Sequence, residues 1–302
     1  MEKYLIVIVN YVNWKYTIEC VESLLKANVP RNNILIIDNA SPNDSFYQLS
    51  KLYSEIQMIQ NSENLGFPTA NNIGIKLALQ GNYDYVIFLN NDTIVDKNAI
   101  SKLLNEMEKH SKVSIGTGRI FFYPSINKLW YDGGKLVNWR GLAIHNNYDK
   151  EISNIVDRNE ARSVNFISGC FMCIRLSHIK ILGYWDERFF LYLEDIEYCA
   201  RARKNNLEMI YVPDSIIYHK VGERPNYTGK LIYYSVRNRL LLIKLAFSPI
   251  AKFYFISVIF LKSVYWFIFN WNNFTYLKQA LVDYKNNYYY EFVEDKSKKN
   301  RF

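Results

Sequence analysis

Tyr85-Val86-Ile87-Phe88-Leu89-Asn90-Asn91-Asp92-Thr93 is the stretch from which the rest of the chain can be read. An unbroken apolar run passes straight into three oxygen-bearing polar residues. A run without alternation is the pattern of a strand buried on both faces, as in a parallel sheet. Asn90, Asn91 and Asp92 then stand at its carboxyl end, the edge where open α/β sheets bind ligands. Asn90 and Asp92 can offer hard oxygens to Mg2+ or Mn2+, and an ion there would hold a diphosphate. Taken alone, the same residues fit a turn, which Asn and Asp favour.

Working outward, residues 5–9 and 34–37 are further apolar runs. The first leads into the loop Asn10-Tyr11-Val12-Asn13 and the second ends in Asp38-Asn39-Ala40-Ser41. Between them, Ile18, Val21, Leu24 and Leu25 share one face of a helix that Thr17 is placed to cap. A helix over 44–53, a strand over 56–60 and a helix from Asn64-Leu65-Gly66-Phe67 to Leu79 complete the order β-α-β-α-β-α-β. That alternation predicts an α/β fold, a mostly parallel sheet with flanking helices. Asp38 ends a strand at the same edge as Asp92, where a carboxylate can accept the imide N–H of uracil or thymine; a turn or cap role is the alternative. Asn64 and Gly66 fit a loop bringing backbone N–H groups to a phosphate at a helix N-terminus, and fit an ordinary loop equally.

Past a helix over 97–110, residues 113–122 read as a strand. Residues 123–163 are polar and aromatic, with Gly133, Gly134 and Gly141, and predict a hairpin and a variable loop. A strand follows over 166–174, in which Ser168 and Gly169 mark a bend where a ligand comes close, or a plain bulge. The aromatic run 189–193 leads into Glu194-Asp195, which open a helix to about residue 204. Acidic residues suit the first turn of a helix. Burying them behind aromatic side chains without a partner costs several kcal/mol, so they have either a chemical task or an ion pair with Arg201 or Arg203. Strands at 207–212 and 216–219 follow, the second ending in His219.

The 302 residues, 49% of them apolar, suffice for one large domain or two modest ones. The formal charge of +8 comes without a nucleic-acid-binding motif, and it suits anionic lipid headgroups or sugar diphosphates; no nucleic-acid partner is expected. Cys170 and Cys173 form a C-x-x-C, but no second pair completes a zinc set, and residues three apart on a strand face opposite sides. With Cys20 and Cys199 they read as reduced structural thiols, a cytosolic usage. The apolar run of residues 4–9 is too short for a signal-peptide core, and no segment reaches about 20 uninterrupted apolar residues.

In this order, Asp38-Asn39-Ala40-Ser41, Asn64-Leu65-Gly66-Phe67, Asn90-Asn91-Asp92-Thr93, Ser168-Gly169-Cys170, residues 189–195 and His219 resemble the family 2 inverting glycosyltransferases. The likeness is to the GT-A (Rossmann-like) fold and the rhamnosyltransferase-like branch, over about residues 4–222. It implies a hexosyl- or rhamnosyltransferase moving sugar from a UDP- or dTDP-sugar to a glycan or lipid-linked glycan, in capsule or O-antigen synthesis. By position it assigns nucleotide binding to Asn10, Tyr11, Asp38, Asn64, Gly66 and Asn91. Asp92, His219 and Asn90 would hold Mg2+ or Mn2+. Asp195 would be the general base, with Glu194 beside it. Ser168, Gly169, Trp185 and Asp186 would lie on the acceptor side, with a structural role as the alternative for Asp186. Asn90 replaces the first Asp of the family's D-x-D, which removes one negative charge and implies weaker metal binding. Pro68 stands where Gly or Ala is usual, which bears on the phosphate-side loop. Asn90 also favours the alternative of a non-catalytic nucleotide-sugar-binding assembly subunit with a degenerate metal site. A sugar nucleotidyltransferase would need a Gly-rich basic loop after the first strand, and Asn10-Tyr11-Val12-Asn13-Trp14-Lys15 is not one.

A catalytic domain is expected over 1–225, its nucleotide half about 1–110 and its acceptor half 111–225, with a helical region over 226–302. The Tyr-x2-Arg-Asn-Arg pattern at Tyr234, Arg237, Asn238 and Arg239 either touches a diphosphate or lipid-linked acceptor or is a solvated helix face. Ser248-Pro249 opens an aromatic, C-terminal helix through Trp271, broken by Lys252 and Lys262. It reads as a monotopic membrane-surface element, or as a homo-oligomer interface or packing on the catalytic domain. The expected location is cytoplasmic, at the inner face of the cell membrane. Residues 294–302 are expected to fray.

Overall fold

The structure, a computed structural model, describes residues 3–156, 160–221 and 229–292. The chain opens with β1 (Tyr4–Asn10), α1 (Trp14–Lys26), β2 (Ile34–Asp38), α2 (Ser45–Leu52), β3 (Gln57–Gln60), α3 (Phe67–Gln80) and β4 (Tyr85–Asn90). β2 and β4 are buried along nearly their whole length, which is why they read as unbroken apolar runs. β3, β2, β1 and β4 pair parallel in that order, with Asn10 beside Asp38 and Val9 beside Asn90. Polar strand ends therefore share one edge. Thr17 is not a cap: it lies inside α1, and its hydroxyl donates to Asn10 Oδ1 at 2.7 Å, tying the helix to the end of β1.

Beyond β4 the sheet stops being purely parallel. There follow β5 (Thr93–Val95), α4 (Ala99–Lys109), β6 (Val113–Phe122), β7 (Leu129–Tyr131), the hairpin β8 (Gly134–Val137) and β9 (Leu142–His145), and β10 (Arg162–Ser163). Next come β11 (Phe171–Arg175), α5 (Ile179–Leu182), α6 (Glu194–Lys204) and β12 (Glu208–His219). β11 slots between β4 and β6, antiparallel to both, while β12 runs parallel to β6. The strand expected over 166–174 begins only at Phe171, so Ser168-Gly169-Cys170 form a bend ahead of it. The two strands expected over 207–219 are one, β12, with a register break between Val212 and Ile216 that accommodates Pro213. β5 folds back on the end of β12 and pairs Thr93 with His219.

The C-terminal helices are α7 (Lys230–Ala246), α8 (Pro249–Phe269) and α9 (Trp271–Lys285). Ser248 holds the N-cap position of α8 without a side-chain cap bond. The helix expected to run through Trp271 stops at Phe269, because Asn270 leaves helical geometry and caps α9 by accepting from the Asn273 N–H. An inward stripe of Ala251, Phe255, Ile259 and Trp266 packs with Tyr233 and Tyr234 of α7 and Leu277 of α9. Outward, Phe253, Phe260, Leu261 and Phe269 are 76%, 64%, 68% and 71% exposed. α8 spans 21 residues with a mean hydropathy of 1.5 over its most apolar window, long and apolar enough to cross a membrane by length and composition alone. α7 contributes Leu241 and Leu242 to the main core and Ile232 and Tyr233 to the C-terminal cluster, so it is the seam between them. The expected boundary at 225/226 and the tail 294–302 lie outside the described residues. Cys20, Cys170, Cys173 and Cys199 are all buried free thiols.

Candidate active site

A cavity of about 330 Å³ opens at the carboxyl edge of β1, β2 and β4. Tyr11, Asn64, Gly66, Asn90, Asn91 and Asp92 line it, and Phe190, Leu191, Lys230, Tyr234 and Glu291 form further parts of its lining. A roomier hollow of about 630 Å³ between α6 and the α7–α8 turn carries Arg201, Arg203 and Lys204 and none of the predicted residues.

Pairing of β5 with β12 carries His219 to Asp92. His219 Nε2 stands 3.1 Å from Asp92 Oδ1, and the Lys220 N–H donates to the Asp92 carbonyl at 2.8 Å. Asp92 Oδ1 and His219 Nδ1 are buried without a hydrogen-bond partner. An orphaned carboxylate oxygen beside an imidazole fits a divalent ion, since Mg2+ and Mn2+ take oxygen ligands and tolerate imidazole. Among the described residues no group of three or more His, Cys, Asp or Glu gathers. Asn91 leans the other way, its amide donating to Thr17 Oγ1 at 3.0 Å.

The nucleotide side differs from expectation in three places. Asn10 is fully buried, with its amide on Asp38 Oδ2 and Ser41 Oγ and its oxygen accepting from Thr17, so it braces Asp38 at the end of β2. Asp38 is 1% exposed, and its carboxylate accepts from Asn10, the Ser41 N–H and the Ser41 hydroxyl. That leaves about one of its roughly four lone-pair sites for a ligand. The N-terminus of α3 is not an open phosphate site. The Gly66 N–H donates to Asn64 Oδ1 at 3.1 Å, the Phe67 N–H to the Phe190 carbonyl at 2.7 Å, and Pro68 has none. Gly66 is required there: its φ is +80°, and a Cβ would come within 2.5 Å of the Phe190 oxygen. Asn39, missed in the sequence, holds this loop by donating to Asn64 Oδ1 and accepting from the Leu65 N–H.

Asp195 sits in the first turn of α6. The Gly169 N–H donates to its Oδ2 at 3.0 Å, and the Ile196 N–H to its Oδ1 at 2.8 Å. One residue further on, the Cys170 carbonyl accepts from the Asn90 N–H at 3.0 Å. The bend 168–170 thus links Asp195 to the strand end bearing Asp92. Burial raises Asp195 above the usual carboxylate range, against the pull of the Gly169 and Ile196 N–H groups. Glu194 is raised as well, by burial and then by the Asp195 charge, and its Oε2 is buried without a partner. The two acids titrate as a pair. Neither expected arginine reaches them: Arg201 pairs with Glu197 at 2.7 Å, and Arg203 reaches Asn138.

The acceptor-side residues also take other duties. Ser168 is buried, its hydroxyl accepting from the Cys170 N–H, and Gly169 serves as the anchor of Asp195. Trp185 is a core residue, stacked on Tyr198 at 4.7 Å with its edge to Phe67 and Phe88. Asp186 grips the Arg188 guanidinium and caps the turn Glu187–Phe189, the structural alternative. Arg237 and Asn238 are fully buried, which excludes a solvated face.

Comparison with known proteins agrees with this architecture. The model of the family described as glycosyl transferase family 2 matches residues 5–181. A low-salt glycan biosynthesis hexosyltransferase, Agl10, of Haloferax volcanii is 27% identical over 80% of this chain and 76% of its own length. The dTDP-rhamnosyl transferase RfbF of Shigella flexneri is 23% identical over 72% of each chain. A poly-beta-1,6-N-acetyl-D-glucosamine synthase of Staphylococcus epidermidis is 26% identical over 68% of this chain, which spans only 47% of that enzyme. Among solved structures, GalNAc-T7 with UDP, GalNAc and Mn2+ superposes with a TM-score of 0.61 at 16% identity, over 81% of this chain and 48% of that one. S. aureus TarS residues 1–349 give 0.52 at 17% identity, over 83% and 68%. These likenesses carry the GT-A fold. With a family model covering more than half of the chain, this protein belongs to glycosyl transferase family 2 and is a glycosyltransferase.

Proposed function

We propose that the chain moves a sugar from a UDP- or dTDP-sugar to a hydroxyl of a glycan or lipid-linked glycan, in one displacement with inversion. The carrying observation is the bend 168–170, which holds Asp195 through the Gly169 N–H and contacts the Asn90 strand end through the Cys170 carbonyl. Tyr11 and the remaining lone pair of Asp38 would receive the pyrimidine, and Asn64 and Asn90 the rest of the nucleotide. Asp92 and His219, with Asn90, would hold Mg2+ or Mn2+. Such an ion, when bound, stabilises charge developing on the leaving diphosphate. Asp195 accepts the proton of the acceptor hydroxyl as it attacks the anomeric carbon from the face opposite the diphosphate, and inversion follows. A polysaccharide product is in keeping with the names of the Shigella dTDP-rhamnosyl transferase and the Staphylococcus poly-beta-1,6-N-acetyl-D-glucosamine synthase, and a bacterial surface polysaccharide is the destination proposed here.

Turnover of UDP- and dTDP-sugars by the purified chain with Mn2+ tests this reading. A base must be ionised to act, and burial raises Asp195, so the rate should fall as pH drops through a value above the usual carboxylate of about 4. A rate flat from pH 8 to 5 contradicts the assignment of the base. No release of nucleoside diphosphate with any donor or acceptor would favour the non-catalytic assembly subunit.

α8 completes the proposal as a membrane-surface element at the inner face of the cell membrane. A helix whose inner stripe packs on α7 and α9 while its outer aromatic face stays bare is suited to lie in a headgroup layer. The full chain should float with anionic liposomes, and Phe253→Glu with Phe260→Glu should abolish flotation while leaving soluble-acceptor turnover intact. Equal flotation of both proteins would refute the membrane role, and a shift from dimer to monomer would point to a second copy on that face.

A further inference from the structure

Between the aromatic run and Asp195 the backbone takes an unusual course. Phe190, Tyr192 and Leu193 have φ of 58°, 71° and 72°, although none is glycine. Such residues are strained and persist only where their surroundings force them. Leu193 in the left-handed region immediately precedes α6, so this course sets the direction from which the helix and Asp195 enter the site.

The forcing contacts come from α7. Asn238 directs its amide nitrogen at the carbonyls of Phe189, Leu191 and Tyr192, at 2.7, 2.7 and 2.9 Å. Its two N–H groups are thereby shared among three acceptors. Arg237 adds a bond from Nη2 to the Phe189 carbonyl at 3.1 Å, and its Nε donates to Asn238 Oδ1 at 3.0 Å, fixing the amide's orientation. Its Nη1 reaches the Tyr290 carbonyl and the Tyr233 hydroxyl, which donates to Asp283 of α9. Tyr234 stacks on Phe190 with ring planes 8° apart. A fully buried guanidinium directed at backbone carbonyls is expensive to desolvate, and a loop that merely had to be covered would not need it.

We propose that Asn238 and Arg237 are positioning residues for sugar transfer: by gripping the carbonyls of Phe189, Leu191 and Tyr192 they hold Phe190, Tyr192 and Leu193 in their positive-φ course and so aim Asp195 at the acceptor hydroxyl. This rests on the reading of Asp195 as the base. Neither residue touches the reacting groups.

The test uses the full chain with Asn238→Ala, Arg237→Lys, Asp195→Asn and the double variant Asn238→Ala with Asp195→Asn. Transfer rate, donor KM and UDP binding by calorimetry are measured well below each variant's Tm. Misaiming the base by about 1 Å is expected to lower kcat about 10²-fold in Asn238→Ala, with a smaller loss of UDP affinity because Phe190 and Leu191 of the same loop line the nucleotide cavity. Because the residue acts through Asp195, adding Asn238→Ala to Asp195→Asn should lower the residual rate by no more than about twofold. An equal loss in both backgrounds would make Asn238 a general structural residue and overturn the proposal, as would an unchanged kcat. If Asn238→Ala does not fold, Arg237→Lys carries the same cycle. If neither folds, the pair is structural and the proposal fails. Full activity in Asp195→Asn would instead remove the base reading itself, an outcome distinct from a silent Asn238→Ala beside an inactive Asp195→Asn.

Discussion

Replacing Asp195 by Asn is expected to lower kcat for sugar transfer by about 10²- to 10⁴-fold, the range a positioned general base contributes. UDP binding, measured by calorimetry, should be unaffected, because the Asp195 carboxylate contacts the Gly169 and Ile196 N–H groups and is not among the residues lining the nucleotide cavity. Asn keeps the size of the side chain and one acceptor oxygen, so the bend at 168–170 should survive. It also removes the charge that raises Glu194, which makes the neighbour easier to ionise. Glu194 could then stand in as base only if it reached the acceptor, and its burial argues against that. Transfer at near wild-type rate would mean that the proton leaves by another route.

The second large effect is expected at Asp92. Asp92→Ala deletes the carboxylate oxygen that faces His219 and leaves the imidazole and the Asn90 amide oxygen, without a carboxylate, for a cation. Loss of a direct ligand should weaken Mn2+-dependent nucleotide binding by more than the 10- to 100-fold typical of residues that only support a ligand. Because Asn90 already supplies no charge, little remains to compensate. Calorimetric titration of UDP with and without Mn2+ reads this directly. A metal-dependent gain in affinity equal to that of the unaltered protein would remove Asp92 from the ion site. His219→Ala should behave similarly but more weakly, since it removes a nitrogen ligand and leaves the Asp92 carboxylate in place.

The local order of elements was legible. Residues 85–90 and 34–38 are buried along nearly their length, and that burial is written as uninterrupted apolar sequence. The polar residues that stop those runs, Asp38 and Asn90 to Asp92, stand at the edge where the cavity opens. Thr17, expected as a cap, lies inside α1 and bonds Asn10 instead, while the Asn10 amide is taken up by Asp38, twenty-eight residues away, and the Ser168 hydroxyl by the nearby Cys170 N–H. Pro213 reads as the end of a strand, yet β12 continues past it through a register break, and Gly118 leaves room there, since a Cβ would come within 2.0 Å of the Ser215 carbonyl oxygen. Tyr290, Glu291 and Phe292 reach Arg237, Asn64 and Tyr234, contacts that no local pattern could announce.

By itself the sequence determined which segments are buried, in what order, and which polar residues end them, because side-chain periodicity and burial are local properties. Only the tertiary structure decided that His219 faces Asp92, through the pairing of β5 with β12. It likewise decided that β11 enters antiparallel beside β4, bringing Gly169 to Asp195, and that a buried arginine and asparagine of α7 hold the approach to that carboxylate. Each of these joins residues far apart in the chain, and the partner of such a contact is chosen by the packing of whole elements.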